Sequence, residues 1–123
     1  MKCIETELAG VFIVEPAVFG DRRGFFMESW SKRAFEGAGL HYKFVQDNHS
    51  YSSGKGTLRG IHFQQGEKSQ AKLVRCVRGG VLDVAVDLRP SSPNYKRWIG
   101  VKLTAENKRQ LLIPRGIGHA FLT

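Results

Sequence analysis

Two cysteines, Cys3 and Cys76, are all the thiol this chain of 123 residues carries. That is too few for a disulfide framework, and they lack the paired spacing of a metal knuckle. Both read as reduced and structural, Cys76 as a small buried thiol in a strand-like run. No stretch approaches the roughly 20 apolar residues that cross a bilayer, and no signal-peptide core follows Met1. The sequence therefore predicts a soluble cytoplasmic protein with no membrane partner. Acidic residues are scarce, 11 against 19 Lys and Arg, which leaves a net charge of +8. Such an excess suits an anionic partner. The cations are nevertheless scattered (Arg23, Arg59, Lys72, Arg75, Arg89, Arg109), with no run of five and no stacked-aromatic signature. That pattern argues against nucleic acid and for a cleft taking a small phosphorylated ligand. Internal repeats, linkers and low-complexity segments are missing too, so residues 1–123 read as one domain.

What the chain does have is glycine, 14 residues well spread, and eight phenylalanines. The first suits many tight turns and the second a modest core. Short β-prone runs fall at 9–15, 25–29, 57–64, 71–77, 81–88, 97–103 and 110–113, with 19–24 as a turn and 41–49 extended. One brief helix is expected over 31–36, with Ser31 as its N-cap and Gly37 as its stop. In Val81 to Leu88, Leu82, Val84, Val86 and Leu88 share one face and Val81, Asp83, Ala85 and Asp87 the other. One face is packed and the other partly wet, as in a barrel with a polar lumen. Turn signals every eight to twelve residues favour a sandwich or barrel over βαβ units. The fold class is all-β, a jelly-roll barrel with one short helix. Residues 111–123 still read as a strand where the chain stops, which predicts an apolar edge covered by a partner subunit or by further chain.

Three side chains carry candidate chemistry. His62 lies in an alternating strand in register with Leu58, Gly60 and Gln64, and looks buried. A structural histidine and a proton-transferring one are both open there. Lys72 alternates with Val74 and Cys76. A lysine among apolar residues either pairs with a carboxylate, Asp83 or Asp87, or stabilises an anion formed during reaction. His119 follows Pro114-Arg-Gly116 and is expected at a turn, satisfying backbone groups. Arg59 is one residue off the face of His62 and joins it only if the strand bulges at Gly60.

A metal is the competing reading. Metal-holding jelly rolls of the cupin type use His-x-His with a downstream Glu, then Pro-x-Gly-x-x-His. Pro114 to His119 supplies the second half, but Gln64 stands where the second histidine of the first half belongs. His62, Glu67 and His119 are three conceivable ligands, yet the Lys72 ammonium disfavours a divalent cation. No metal is expected.

With these residues in hand, the chain resembles the dTDP-4-dehydrorhamnose 3,5-epimerase family, a metal-free branch of the cupin-like jelly rolls. The resemblance runs in order through residues 19–28, 44–50, 58–64, 72–76, 83–87, 105–110 and 113–116. It implies that His62 removes protons alpha to a sugar ketone and that Lys72 stabilises the enolate oxygen. Arg23, Glu28, Gln46, Asn48, Arg59 and His119 would line the nucleotide-sugar site, the arginines neutralising a pyrophosphate. The substrate would be dTDP-4-keto-6-deoxyglucose, inverted at the carbons flanking its keto group to give dTDP-4-dehydrorhamnose. No cofactor is implied, because the ketone itself acidifies the protons.

The family is also dimeric, with N-terminal strands exchanged, so a homodimer is expected and Glu28 would then serve the partner's cleft. In the family a tyrosine reprotonates the enolate and an aspartate orients the catalytic histidine. Both belong to a C-terminal part beyond Thr123, and Tyr42, Tyr51 and Tyr95 fall outside the matching motif. The fold expected for this chain is thus a cupin-like jelly roll lacking that C-terminal part. A nucleotide-sugar-binding module without turnover, a mono-epimerase and a related ketosugar isomerase remain as alternatives.

Overall fold

A computed structural model of the protein describes residues 1–63 and 70–123. Gln64 and Glu67 lie outside the described residues, as does the end of the strand expected over 57–64. Ten strands and one helix are described: β1 (Lys2–Glu5), β2 (Phe12–Glu15), β3 (Val18–Asp21), β4 (Gly24–Met27), α1 (Lys32–Gly37), β5 (Leu58–His62), β6 (Lys72–Arg75), β7 (Gly80–Asp87), β8 (Trp98–Thr104), β9 (Gln110–Ile113) and β10 (Ile117–Leu122). Two four-stranded antiparallel sheets, ordered β1-β2-β9-β6 and β5-β10-β7-β8, make the body of an all-β jelly roll. β3 and β4 form a separate hairpin.

The sheets pack through alternating residues. Ala85 of β7, Val101 and Leu103 of β8 and Ile117 of β10 meet Leu111 and Ile113 of β9, joined by Ile13 and Val74. β9 is buried on both faces, because Leu112 points the other way into a second cluster with Val14, Phe35 and Leu40. Burying one such leucine is worth about 1.5–3 kcal/mol, so a strand with three consecutive apolar residues, Leu111 to Ile113, holds both layers. The second layer is an aromatic cover in which Trp30, Phe35, Tyr42 and Phe44 pack mostly edge-on, with Tyr42 stacked on Phe44.

The helix begins where its cap predicts. Ser31 is extended and its side chain accepts from the Ala34 N–H at 3.2 Å, satisfying one of the orphan donors of the first turn. The helix ends at Gly37, one residue later than expected, with Ala38 as the C-cap whose N–H reaches the Ala34 and Phe35 carbonyls. The 41–49 segment is extended in pattern only and joins no sheet.

Two expectations are corrected. The last strand is not an edge: β10 lies between β5 and β7 and pairs with both. On β7 the buried face is the one bearing Asp83, Ala85 and Asp87, while Leu82 on the opposite face is 41% exposed. Hydropathy alone misleads here because the carboxylates find partners inside. Two strands went unread, β1 and β3; the 19–24 turn is really the tip of the β3–β4 hairpin. No helix among the described residues is long and apolar enough to cross a membrane.

Asp87 shows how such a carboxylate is accommodated. It accepts from the Arg89 N–H at 3.0 Å, from Arg89 Nε at 3.0 Å and from the Ser92 hydroxyl at 2.6 Å. Burial pushes its carboxyl up, but the Arg89 and Ser92 hydrogen bonds outweigh it and hold the group below the usual 3.8. A lowered folded value means stability that is present above the unfolded value and is lost as pH falls through the folded one. Unfolding measured against pH should therefore show an acid loss below 3.8 that the Asp87→Ala variant lacks. The same variant should lose about 3 kcal/mol at neutral pH, the low end for a broken buried pair, since the Arg89 side chain keeps some water contact.

Candidate active site

Alternation decides which side chains face the interior. On β6, Lys72 shares the face of Val74, which packs in the inter-sheet core. On β7, Asp83 shares the face of Ala85, and on β10 His119 shares that of Ile117, both core residues. His62 lies directly opposite His119 across the β5–β10 ladder. Lys72, Asp83, His119 and His62 are thus brought to one side of the sandwich by four strands that are dispersed in sequence.

His119 and Asp83 form the innermost pair. The His119 Nε2 to Asp83 Oδ1 distance is 2.6 Å, with the Asp83 side chain fully buried and that of His119 7% exposed. Burial pushes the Asp83 carboxyl up, opposed by the His119 hydrogen bond and by the charges of His119 and Lys72. Asp83 Oδ2 has no hydrogen-bond partner among the described residues. His119 is therefore a buried, paired strand residue rather than the turn residue expected. The sequence did offer Asp83 as a carboxylate partner for Lys72; it held no sign of the histidine, because the pairing crosses 36 residues.

Exposure separates the two histidines. His62 is exposed, not buried as its strand pattern suggests, so it stands at the open rim while His119 closes the floor. Lys72 is half-buried and lines a broad groove together with Gln46, Asn48, Gln110, Arg115 and Phe121. Neither histidine belongs to that lining; His119 adjoins it through Phe121, whose ring is 5.9 Å away.

The bulge needed to align Arg59 is present. Between the pairs His119↔His62 and Phe121↔Arg59, β10 advances two residues and β5 three. The extra residue restores Arg59 to the side of His62. Gly60 makes it possible: at φ +131° it lies so close to β10 that a Cβ would stand 2.5 Å from Ala120 Cβ and 2.8 Å from the His119 carbonyl. The Arg59 guanidinium bonds the Ser52 hydroxyl at 3.0 Å and the Tyr51 carbonyl at 3.3 Å, tying the 50–56 loop to the site.

Other expected site residues stay apart from this cluster. Arg23 is at the hairpin tip, 90% exposed and paired at 2.6 Å with Asp21, whose carboxyl it holds below the usual range. Glu28 is exposed beyond β4 and is absent from the groove lining. Gln46 and Asn48 are exposed and bonded to each other at 3.1 Å. Among the described residues, no three His, Cys, Asp or Glu side chains are grouped to hold a metal. The conceivable ligand Glu67 lies outside the described residues.

Comparison with known proteins identifies the family. The family model for dTDP-4-dehydrorhamnose 3,5-epimerase matches residues 5–123. The chain belongs to that family. It is 59% identical over 122 residues to the dTDP-4-dehydrorhamnose 3,5-epimerase of Shigella flexneri, covering 98% of this chain and 67% of the relative. Among solved structures it is similar to the epimerase of Bacillus anthracis with TDP and pyrophosphate bound, at a TM-score of 0.96 and 50% identity, over 99% of this chain and 70% of that one. It is also similar to the dTDP-6-deoxy-D-glucose-3,5-epimerase of Legionella pneumophila in complex with dTDP-4-keto-L-rhamnose, at 0.93 and 46%, over 99% of this chain and 64% of that one. The chain thus spans about two thirds of the length of the family members it matches.

Beside the site residues, Gly60 is a tightly confined backbone position, with Ala120 and the His119 carbonyl where a side chain would stand. Gly60→Ala should cost about 2–4 kcal/mol, from overpacking against Ala120 together with a backbone angle that alanine resists. Urea unfolding would measure it. A loss below about 0.5 kcal/mol, the size of an ordinary surface change, would show that β5 and β10 are not held this close.

Proposed function

We propose that the chain removes protons from the carbons flanking the keto group of dTDP-4-keto-6-deoxyglucose, as a dTDP-4-dehydrorhamnose 3,5-epimerase, and does so in the cytoplasm. The observation that carries this reading is the placement of an accessible imidazole, His62, across one strand pair from the buried His119–Asp83 couple, with Lys72 on the face of β6 that turns toward the inter-sheet core. His62 takes a proton from carbon. The electron pair of the broken C–H bond becomes the C=C bond of an enolate, and the negative charge moves to the former ketone oxygen. Lys72 stabilises that oxygen. Return of a proton drawn from solvent to the face opposite His62 inverts the centre, His62 gives its own proton up to water, and no redox change occurs.

Arg59 suits the pyrophosphate, being cationic and brought to the side of His62 by the bulge. Gln46 and Asn48 suit the nucleotide or sugar, being polar and set along the groove that Lys72 lines. The Legionella relative's bound dTDP-4-keto-L-rhamnose supports the same substrate class here.

Exchange of substrate protons for deuterium, followed by proton NMR, tests the reading. The signals beside the ketone should disappear with this chain. With His62→Ala they should do so about 10²–10⁴-fold more slowly, the usual contribution of a general base, while calorimetry still detects dTDP binding. Intact signals with the unaltered chain, or undiminished exchange in the variant, would contradict the proposal.

The same reading includes a homodimer. Phe19, Phe25 and Phe26 on the β3–β4 hairpin are 67%, 60% and 72% exposed, an apolar surface that a second copy would cover. Arg23 and Glu28 would then serve the partner's cleft, consistent with their absence from the groove lining. Sedimentation equilibrium should give a dimer that Phe25→Ser with Phe26→Ser weakens; a monomer at micromolar concentration would count against it.

A further inference from the structure

We infer that Asp83 is a positioning residue shared by two arms of the site: it fixes the His119 ring through Nε2 and supplies the countercharge that faces Lys72. Three independent features support this. The Asp83 side chain is fully buried, and its bond to His119 is 2.6 Å, the length of a charge-assisted contact. Its second oxygen, Oδ2, is equally dry and has no hydrogen-bond partner among the described residues, so half of its accepting capacity is uncommitted. Lys72 lies on β6 of the other sheet, on the face that Val74 turns into the inter-sheet core where Asp83 and Ala85 also point, and its charge opposes the effect of burial on the Asp83 carboxyl.

A buried carboxylate is retained only where cations repay its desolvation. Here the two candidates are the residues that the family resemblance assigns to the ligand. Asp83 therefore links floor and wall: the histidine cannot rotate without abandoning a dry anion, and the lysine has a fixed charge to lean against when the cleft is empty. Anion formed on a ligand next to Lys72 would then meet an ammonium already held in place, without reorganisation at the moment of reaction. The bond also dictates the ring chemistry of His119. With Nε2 donating to Asp83, Nδ1 is the atom left to face other groups, as an acceptor in the neutral ring and a donor in the charged one.

The catalytic consequence rests on the proposed role of Lys72, but the arrangement itself is tested without substrate. In long-range proton–nitrogen NMR of the 123-residue chain, His119 should carry its proton on Nε2, with a downfield, slowly exchanging resonance. Asp83→Asn should move that resonance upfield and speed its exchange. If the variant does not fold, the unaltered chain still decides: a His119 ring with no proton on Nε2 overturns the proposal. For the other arm, the Asp83 carboxyl carbon is followed against pH in Lys72→Met. Its midpoint should rise above that of the unaltered chain, because one of the charges that opposes burial has gone. An unchanged midpoint would reduce Asp83 to a partner of His119 alone and overturn its shared role. Because neither arm uses a sugar nucleotide, loss of the epimerase reading would leave these results standing, and their failure would leave that reading standing.

Discussion

The hydrogen bond between His119 and Asp83 is the constraint around which the site is built. Both groups are polar and nearly dry, and each would be costly to bury without the other. Their pairing is what lets β7 turn its acidic face inward and its leucine–valine face outward, the reverse of what hydropathy alone would choose. It also crosses from β10 to its neighbour β7, in the middle of one sheet, so the polar centre is held by ladder bonds on both sides. The opposite ladder of β10 then sets the reach of His62 through its register opposite His119.

Around that centre the fold divides the labour between layers. The β1-β2-β9-β6 sheet provides a dry wall through β9, apolar at three consecutive positions and buried on both faces. Its edge strand β6 carries Lys72, where a half-exposed ammonium can keep water contact while its stem lies along the core. The β5-β10-β7-β8 sheet carries the acid–imidazole pair and, at its own edge, the bulged strand with Arg59 and His62. Lys72, Arg59 and His62 therefore sit on edge strands, the Asp83–His119 pair sits on the central strands of its sheet, and aliphatic packing closes the interior.

Much of this was legible in the sequence. The strand pattern, the Ser31 cap and the glycine at position 60 each act through local physics: alternation, one side-chain acceptor, one missing Cβ. The bulge in particular followed from needing Arg59 and His62 on one side, with glycine available to turn the chain between them. What local physics could not supply were relations between distant segments. His119 looked like a turn residue because a Pro and two Gly precede it, whereas its partner stands 36 residues earlier. The apolar run at 117–122 looked like an exposed edge because nothing in the sequence tells which strands flank it. His62 looked buried because an alternating strand signals a half-buried face, and only the sheet order shows that β5 is an edge strand. The order of motifs along the chain revealed the family, and the register between strands revealed how Asp83 joins it.

The central claim is that the seam between β5 and β10, with His62 at its rim and His119 at its floor, is where a ketosugar nucleotide is met. Histidine-ring NMR of the chain, recorded while dTDP-4-keto-6-deoxyglucose is added to saturation, tests it most directly. The account predicts that the His62 and His119 resonances move together along one binding curve. Saturable binding that leaves both rings unmoved would place the ligand elsewhere and contradict it.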